Sequence, residues 1–252
     1  MDKGTLYIVA TPIGNLGDIT LRALEVLKSV DIIACEDTRV SGVLLKHYGI
    51  KKPLVSFHQH SSQSVISRLV DSLTRGENVA FVTDGGTPGV SDPGGVLVER
   101  VRENNHCHPE RNEGSSRMQQ DSSSASRRTQ NDVIKIVPIP GPSAVTAAVS
   151  VSGMVEKDFY FAGFLPKKKG RQTGFKKLVK LNVPIVIYES ALRLERTLND
   201  IKAYFGETAK IFIAREITKM FEEYWSGNIN SILKDLKSHQ LKGEIVLIVR
   251  NR

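Results

Sequence analysis

The chain has 252 residues, of which 40% are hydrophobic and 25% charged, ordinary proportions for a globular protein with one large or two modest domains. Its two cysteines exclude a disulfide framework, and the sequence shows neither a secretory signal nor an apolar span, so we expect a cytoplasmic protein that binds no membrane. The formal net charge of +8 favours an anionic partner such as nucleic acid.

The first half alternates short apolar runs with amphipathic segments, the pattern of a βα series that forms a parallel sheet. Leu21, Leu24 and Leu27 lie on one helical face, and a second such face extends from Val65 to Leu73. A third helix is predicted over Val96–Arg102. The predicted strands are Thr5–Ala10, Asp31–Cys35, Leu54–Phe57, Val79–Val82 and Val133–Val137.

Residues 105–132 interrupt this series. The segment is rich in Ser, Arg, Gln and Asn and nearly lacks apolar residues, so burial cannot offset the entropy lost on ordering. We predict a disordered insertion here. His106, Cys107 and His108 resemble metal ligands, but no second ligand pair lies at a suitable spacing, and we expect no metal.

The second half repeats the alternation of strands and helices. Leu194, Leu198, Ile201 and Phe205 form a helical stripe. With Gly141-Pro142 as the junction, we predict two α/β domains, residues 1–140 and 141–252, with a ligand cleft between them. The predicted strands of the second half are Phe159–Ala162, Pro184–Tyr188, Lys210–Ala214 and Glu244–Val249.

Polar and glycine-rich segments follow five of the predicted strands, at the edge where open α/β sheets bind ligands. The richest is Thr83–Gly94, which contains four glycines, two prolines and two carboxylates. The segment Ala10–Asp18 is neither a phosphate-binding P-loop nor a dinucleotide fingerprint, because the required lysine and leading glycine are missing. These residues alone therefore predict a small polar cofactor without identifying it.

Eight ordered motifs resemble the ribosomal RNA small-subunit methyltransferases that modify a cytidine ribose 2′-hydroxyl, within the tetrapyrrole methylase superfamily. They are TPIGNLGDIT, EDTR, TDGGTPGVSDPG, PIPGPSA, GFLPKK, YES, ARE-ITK-FEE and KGEIVLIV, beginning at Thr11, Glu36, Thr83, Pro138, Gly163, Tyr188, Ala214 and Lys242. The resemblance covers nearly the whole chain outside 105–132. It implies S-adenosylmethionine as methyl donor, small-subunit ribosomal RNA or the assembled subunit as partner, a homodimer, and a mostly parallel N-terminal sheet with a mixed C-terminal sheet.

The resemblance also assigns residues to the methyl donor. Asp84 is an acidic residue at a strand end. Its carboxylate can accept hydrogen bonds from ribose hydroxyl groups or balance the sulfonium charge. The N–H groups of the helix that begins near Ser143 can receive a carboxylate. The predicted cofactor residues are Pro12, Gly14, Asn15, Asp84, Gly85, Gly86, Thr87, Val90, Ser91, Pro140, Gly141, Ser143 and Ala144.

Removal of the ribose hydroxyl proton needs a base near a strand end. The predicted candidates are Asp37, His58, Glu189 and Glu216. Phosphate contacts are predicted for basic residues within or near the motifs, which are Arg39, Lys167, Lys168, Lys169, Arg171, Arg193, Arg215 and Lys219.

Structural explanations compete with several of these roles. Glu36, Asp37 and Arg39 can simply cap and pair at a helix start, and His58 and His60 can be solvated loop histidines. Pro140–Pro142 can be a rigid hinge, and Arg215-Glu216 can be an ion pair. Two other functions share the motifs: a methylase of the same superfamily that acts on a tetrapyrrole or a protein side chain, and a non-catalytic RNA-binding relative.

Overall fold

The computed structural model describes residues 2–58, 61–106, 133–236 and 242–250. The chain divides into two compact units: Met1–Thr11 with Ile19–Gly141, and Pro12–Asp18 with Pro142–Arg252. Most of the predicted insertion lies outside the described residues, as do Cys107 and His108. Its first residue, Asn105, is helical, and its side-chain amide exchanges two 3.0 Å hydrogen bonds with the backbone of Ile134. Ordered structure therefore extends further along the chain than predicted.

The first unit is built on a five-stranded parallel sheet in the order β3-β2-β4-β1-β5. All four residues of β4 are buried, because this central strand is covered on both faces. Ile139 belongs to β5, so that strand lies two residues later than predicted. The strands are β1 (Thr5–Val9), β2 (Ile32–Cys35), β3 (Leu54–Ser56), β4 (Val79–Val82) and β5 (Lys135–Ile139).

The helices of this unit bury most of the apolar stripes that the sequence shows, but Leu21 of the first predicted stripe is 80% exposed. Leu69 and Leu73 join Phe81 and Leu97 in one core, and Leu27 joins Ile33 and Val82 in another. Thr20 caps the first helix by accepting the Ala23 N–H at 3.1 Å. The helices are α1 (Leu21–Ser29), α2 (Thr38–His47), α3 (Gln63–Thr74) and α4 (Gly94–His106).

The second unit holds a mixed five-stranded sheet in the order β6-β7-β10-β8-β9. The pair β6–β7 is parallel and the other three neighbouring pairs are antiparallel. The strands are β6 (Tyr160–Phe164), β7 (Ile185–Ser190), β8 (Lys210–Arg215), β9 (Glu223–Asn228) and β10 (Glu244–Arg250). The predicted α/β class, with a parallel sheet followed by a mixed one, is confirmed.

One face of the second sheet packs against helices in a single core. The predicted stripe of Leu194, Leu198, Ile201 and Phe205 is buried there. The helices of the second unit are α5 (Ala144–Ser152), α6 (Arg171–Leu178), α7 (Ala191–Phe205) and α8 (Ile229–Leu236), of which α6, α7 and α8 contribute to this core. Among the helices that the structure describes, none combines the length and the apolar character needed to cross a bilayer.

Candidate functional site

Two glycine-rich loops are joined at the carboxyl edge of the first sheet. The Thr11 N–H donates to the Gly86 carbonyl at 3.0 Å, and the Gly86 N–H donates to the Thr11 carbonyl at 2.9 Å. The Thr11 hydroxyl also donates to the Thr83 carbonyl at 3.3 Å. Gly86 has φ of 96°, a left-handed conformation that favours glycine. The loops after β1 and β4 thus form one fixed ledge.

The exposed side chain of Asp84 lies beside this ledge, and a backbone N–H of a neighbouring loop holds its carboxylate in place. One of its carboxylate oxygens accepts the Asp37 N–H at 3.0 Å, which links the loop after β4 to the loop after β2. Partial desolvation, together with the charge of Asp37, raises the pKa of Asp84. An exposed, oriented carboxylate of this kind can accept hydrogen bonds from ligand hydroxyl groups.

Asp37 caps α2 and binds Arg39. Its carboxylate accepts the Arg39 backbone N–H at 2.8 Å and the guanidinium Nη2 at 2.6 Å. These hydrogen bonds lower the pKa of Asp37 to about 2. A general base works best with a pKa near the working pH, so the structure favours capping over proton abstraction for Asp37. The Arg39 side chain is 89% exposed and can still reach a further anion.

Glu36, which was not among the predicted site residues, belongs to the same edge. Burial raises its pKa, and the negative charges of Asp84 and Asp92 raise it further, while nearby His58 opposes them. His58 follows β3 and is exposed, and its N–H donates to the Ser61 hydroxyl at 2.8 Å. A carboxyl group and an imidazole therefore stand close enough to influence each other electrostatically.

Asp92 organises the loop that leads into α4. Its carboxylate accepts the N–H groups of Gly89 at 2.8 Å, Val90 at 3.1 Å and Gly94 at 2.8 Å. Ser91, at the turn of this loop, has φ of 68°, which is strained for a residue with a side chain. The Asp-Pro-Gly sequence at a helix start is a signal that could have identified this role.

The segment after β5 comes very close to the end of β1. A Cβ atom added to Gly141 would lie 3.1 Å from the Ala10 Cβ, so a larger residue would push the two segments apart. Pro140, just before it, is exposed. In the second unit, Ser143 is the N-cap of α5, and its side chain makes no capping hydrogen bond.

The loop Pro12–Asp18 packs within the second unit against a turn after β8. The Asn15 N–H donates to the Thr218 hydroxyl at 3.2 Å, and a Cβ at Gly14 would lie 2.4 Å from Lys219 Cγ. Only glycine fits so close an approach. The structure therefore brings predicted cofactor residues next to a predicted RNA-binding residue.

The turn after β8 has a strained backbone, and ion pairs between its side chains stabilise it. Glu216 has φ of 51° and Thr218 has φ of 67°. Glu216 Oε1 accepts the Lys219 ammonium and the Glu244 N–H, both at 2.9 Å. Although burial opposes the effect, these partners lower the pKa of Glu216. Burial also opposes the shift at Lys219, but the carboxylates of Glu244 and Glu216 raise its pKa. Both side chains, predicted as base and phosphate ligand, therefore have charged partners within this turn and on β10.

Arg215 and Arg193 also have structural partners. Arg215 Nη2 lies 2.9 Å from Glu223 across the β8–β9 pair, and Glu216 pairs with Lys219, so the ion pairs of these two residues differ from the Arg215-Glu216 pair given as an alternative. Arg193 Nε lies 2.6 Å from Glu189 Oε1. Neither arginine is as available to RNA as the sequence predicts.

Glu189 lies inside the second unit, and its buried carboxylate is fully bonded. Oε1 accepts the Ser190 N–H at 2.9 Å as well as Arg193, and Oε2 accepts the Thr197 hydroxyl at 2.7 Å. A buried, paired carboxylate cannot meet a ribose hydroxyl, so the structure assigns Glu189 to stability.

The basic run 167–171 divides into two kinds of residue. Lys167, Lys168 and Lys169 are exposed, as an RNA-binding role requires. Arg171 is 5% exposed, and its guanidinium donates to Asp200 at 2.7 Å, Thr197 at 2.8 Å and the Pro166 carbonyl at 3.2 Å. Direct phosphate contact by Arg171 is therefore replaced by a structural role.

Comparison with known proteins connects this arrangement to a family. A family model described as Tetrapyrrole (Corrin/Porphyrin) Methylases matches residues 5–116 and 122–233. A protein of Neisseria meningitidis serogroup B, named Ribosomal RNA small subunit methyltransferase I, is 44% identical over 249 residues, which cover 98% of this chain and 76% of that protein. The protein of the same name from Thermotoga maritima is 41% identical over 249 residues and 99% of both chains.

A solved structure shares the fold at low sequence identity. The uroporphyrin-III C-methyl transferase from Thermus thermophilus, complexed with S-adenyl homocysteine, superposes with a TM-score of 0.62 at 12% identity, over 98% of this chain and 97% of that one. Its likeness extends through both units described above.

Proposed function

We propose, from the premise that this chain belongs to the ribosomal RNA small subunit methyltransferase I family of tetrapyrrole methylases, that it methylates the 2′-hydroxyl of a cytidine ribose in small-subunit ribosomal RNA with S-adenosylmethionine as donor. The observation that carries the proposal is the ledge of Thr11 and Gly86, with Asp84 exposed beside it. A relative named Ribosomal RNA small subunit methyltransferase I aligns over 99% of this chain.

The chemistry of the ledge fits the donor. S-adenosylmethionine, when bound, supplies an electrophilic methyl group together with ribose hydroxyls and a positive sulfonium. Asp84 offers a carboxylate for a hydroxyl group or for the positive charge, and the glycines at 85 and 86 keep side chains away from it. The residues present therefore suit a nucleoside with one positive charge.

The role of this chain in the reaction is mainly to orient the acceptor. Holding two reacting groups in line can contribute about 7–11 kcal/mol of rate acceleration. For the proton of the ribose hydroxyl we retain His58 among the predicted bases, because it is exposed after β3 and its imidazole carries a nitrogen that can accept a proton. Replacing His58 by Asn should lower kcat by roughly 10²–10⁴-fold and leave the donor Kd unchanged. An unchanged kcat would remove His58 from the reaction.

Exposed cations support RNA as the substrate. Exposed apolar residues support a homodimer. Lys167, Lys168, Lys169 and Arg39 are exposed and can contact phosphate. Leu192, Met220 and Phe221 are exposed apolar side chains of the second unit and support a homodimer. A cytoplasmic location agrees with a ribosomal substrate.

Two assays test the proposal. Mass spectrometry of ribosomal RNA from cells with and without the gene should show the loss of one ribose methyl group on a cytidine. In vitro, the purified chain should methylate small ribosomal subunits and leave a corrinoid precursor unmodified. Methylation of the corrinoid instead would favour the alternative of a tetrapyrrole substrate, and donor binding without methylation of either would favour a non-catalytic relative.

A further inference from the structure

The second unit contains a cavity of about 270 Å³ at the start of α6. This volume far exceeds the roughly 10–15 Å³ that one water requires. Its lining is mostly polar and basic, and it includes Lys168, Gln172, Thr173, Arg196 and Tyr204. The sequence predicts phosphate contacts for Lys168 and Arg171 of this lining, but it assigns no role to Arg196 or to the cavity itself.

The wall of the cavity is rigid because Arg171 anchors it. The buried guanidinium binds Asp200 and Thr197 on α7, and Thr197 in turn donates to the buried Glu189 at 2.7 Å. On its other side, the Arg171 Cζ lies 5.2 Å from the centre of the Phe175 ring, which stacks on Tyr204 at 5.3 Å. A cavity wall held by hydrogen bonds and ring contacts is preformed for a ligand.

The charges at the cavity leave a positive excess. Asp200 balances Arg171 at 2.7 Å. Lys168 and Arg196 are exposed at the same cavity, and neither forms an ion pair within the part of the chain that the structure describes. Two cations without a counter-charge at one polar cavity favour an anion. The first turn of α6, whose N-cap is Gly170 and carries no capping side chain, adds to the positive potential.

We infer that this cavity binds a backbone phosphate of the RNA substrate through Lys168 and Arg196. The inference rests on the proposed function for the identity of the RNA. It also replaces part of the sequence prediction, because Arg196 takes the direct contact that was predicted for Arg171, and Arg171 becomes a positioning residue.

The test removes the charges of Lys168 and Arg196 and compares the result with the removal of two lysine charges on α6 outside the cavity. The test variant is Lys168→Gln with Arg196→Gln. The control is Lys176→Gln with Lys177→Gln, two exposed lysines of α6 that do not line the cavity. Binding of small-subunit ribosomal RNA transcribed in vitro is measured for both variants at several salt concentrations, and thermal unfolding checks that each is folded.

The test variant should lose about tenfold or more in RNA affinity at low salt. Its slope of log K against log salt should fall by about 1.4, since each lost contact to a single strand removes about 0.7. The control variant should show a smaller loss of RNA affinity and a smaller change in the salt slope. Equal losses in the two variants would overturn the inference.

Methyl transfer by the wild-type chain separates this inference from the proposed function. If the wild type methylates small subunits and the test variant shows a higher KM for RNA than the control, both stand. If the wild type binds RNA in a manner that depends on Lys168 and Arg196 but methylates no ribose, the cavity stands and the proposed function falls. A wild-type chain that binds no ribosomal RNA would overturn both.

Discussion

Two carboxylates near strand ends, Asp84 after β4 and Glu189 at the end of β7, have the same place in the sequence pattern and opposite surroundings in the structure. Asp84 is exposed, and its carboxylate accepts the backbone N–H of Asp37 at 3.0 Å. The Glu189 carboxylate is fully buried and bonded to Arg193, Thr197 and a backbone N–H. A carboxylate at a strand end is therefore a ligand group or a structural group according to its partners.

The difference follows from what comes after each strand. After β4 the chain continues as a glycine-rich loop, which contributes few side chains that could cover Asp84. After β7 the chain enters α7 at once, and residues four and eight positions after Glu189 lie on the helix face above it. A loop after the strand keeps the carboxylate accessible to a ligand, whereas a helix after the strand supplies side chains that bind the carboxylate within the protein.

The largest expected effect comes from breaking the buried group. Replacing Glu189 by Ala leaves Arg193 and Thr197 without their partner, and removal of one member of a buried ion pair costs about 3–5 kcal/mol. We expect urea denaturation to show a loss of that size in the free energy of unfolding. Glu195→Ala, an exposed position on α7, should change it by less than about 0.5 kcal/mol. Similar values for the two variants would contradict a structural role for Glu189.

Apolar periodicity was sufficient to predict most of the strands, but not β9. The segment Glu223–Asn228 alternates half-buried and exposed residues at a sheet edge, and only Tyr224 and Trp225 in it are large and apolar. Its pairing with the preceding strand β8 is local, but a strand with so few apolar residues leaves little periodicity in the sequence. The Arg215–Glu223 ion pair depends on that pairing and could not be predicted either.

The positions of the site residues were more predictable than their contacts. Local composition at the strand ends indicated the loops that contain Asn15, Asp84 and Gly86, and the family resemblance assigned these residues to the methyl donor. Arg171 reads as one more cation in a basic run, and only the packing of α6 against α7 buries it beside Asp200. Such partners lie far apart in sequence, so composition cannot distinguish a buried arginine from an exposed one.

Mutation of the exposed carboxylate of Asp84 should weaken ligand binding, whereas mutation of Glu189 should lower the stability of the fold. Asp84→Ala removes a charged hydrogen-bond acceptor worth about 1.5–3 kcal/mol to a bound ligand, so the Kd for S-adenosylmethionine should rise roughly tenfold to a hundredfold. Arg39→Ala should leave that Kd unchanged and weaken RNA binding. Calorimetric titration of both variants with S-adenosylmethionine measures the contrast. Normal donor affinity in Asp84→Ala would remove Asp84 from the donor site.

The ledge beside Asp84 can be tested through two nearby glycines. Gly86 has φ of 96°, and alanine in a left-handed conformation costs about 1–2 kcal/mol. Gly95 is helical, and a Cβ there would meet nothing within 4 Å, so Gly95→Ala should stabilise the protein by about 0.4–1 kcal/mol. Thermal unfolding should therefore shift in opposite directions. A stabilising Gly86→Ala would mean that the ledge does not hold the conformation described.

The smallest effect concerns the pairing of Asp37 with Arg39 at the solvent-exposed side of the same edge. In the folded protein the pKa of Asp37 is about 2, below its ordinary value of 3.8. A lowered carboxyl pKa stabilises the folded state above the ordinary value, and this contribution is lost as the pH falls through about 2. Arg39→Ala should return the pKa of Asp37 toward its ordinary value, which carboxyl NMR titration detects directly. Because Arg39 also lowers the pKa of Asp84, the same variant should raise the already elevated pKa of Asp84 further. A pKa of Asp37 that stays near 2 without Arg39 would show that the backbone cap alone holds the charge, and the exposed edge would then share the self-contained bonding seen around Glu189.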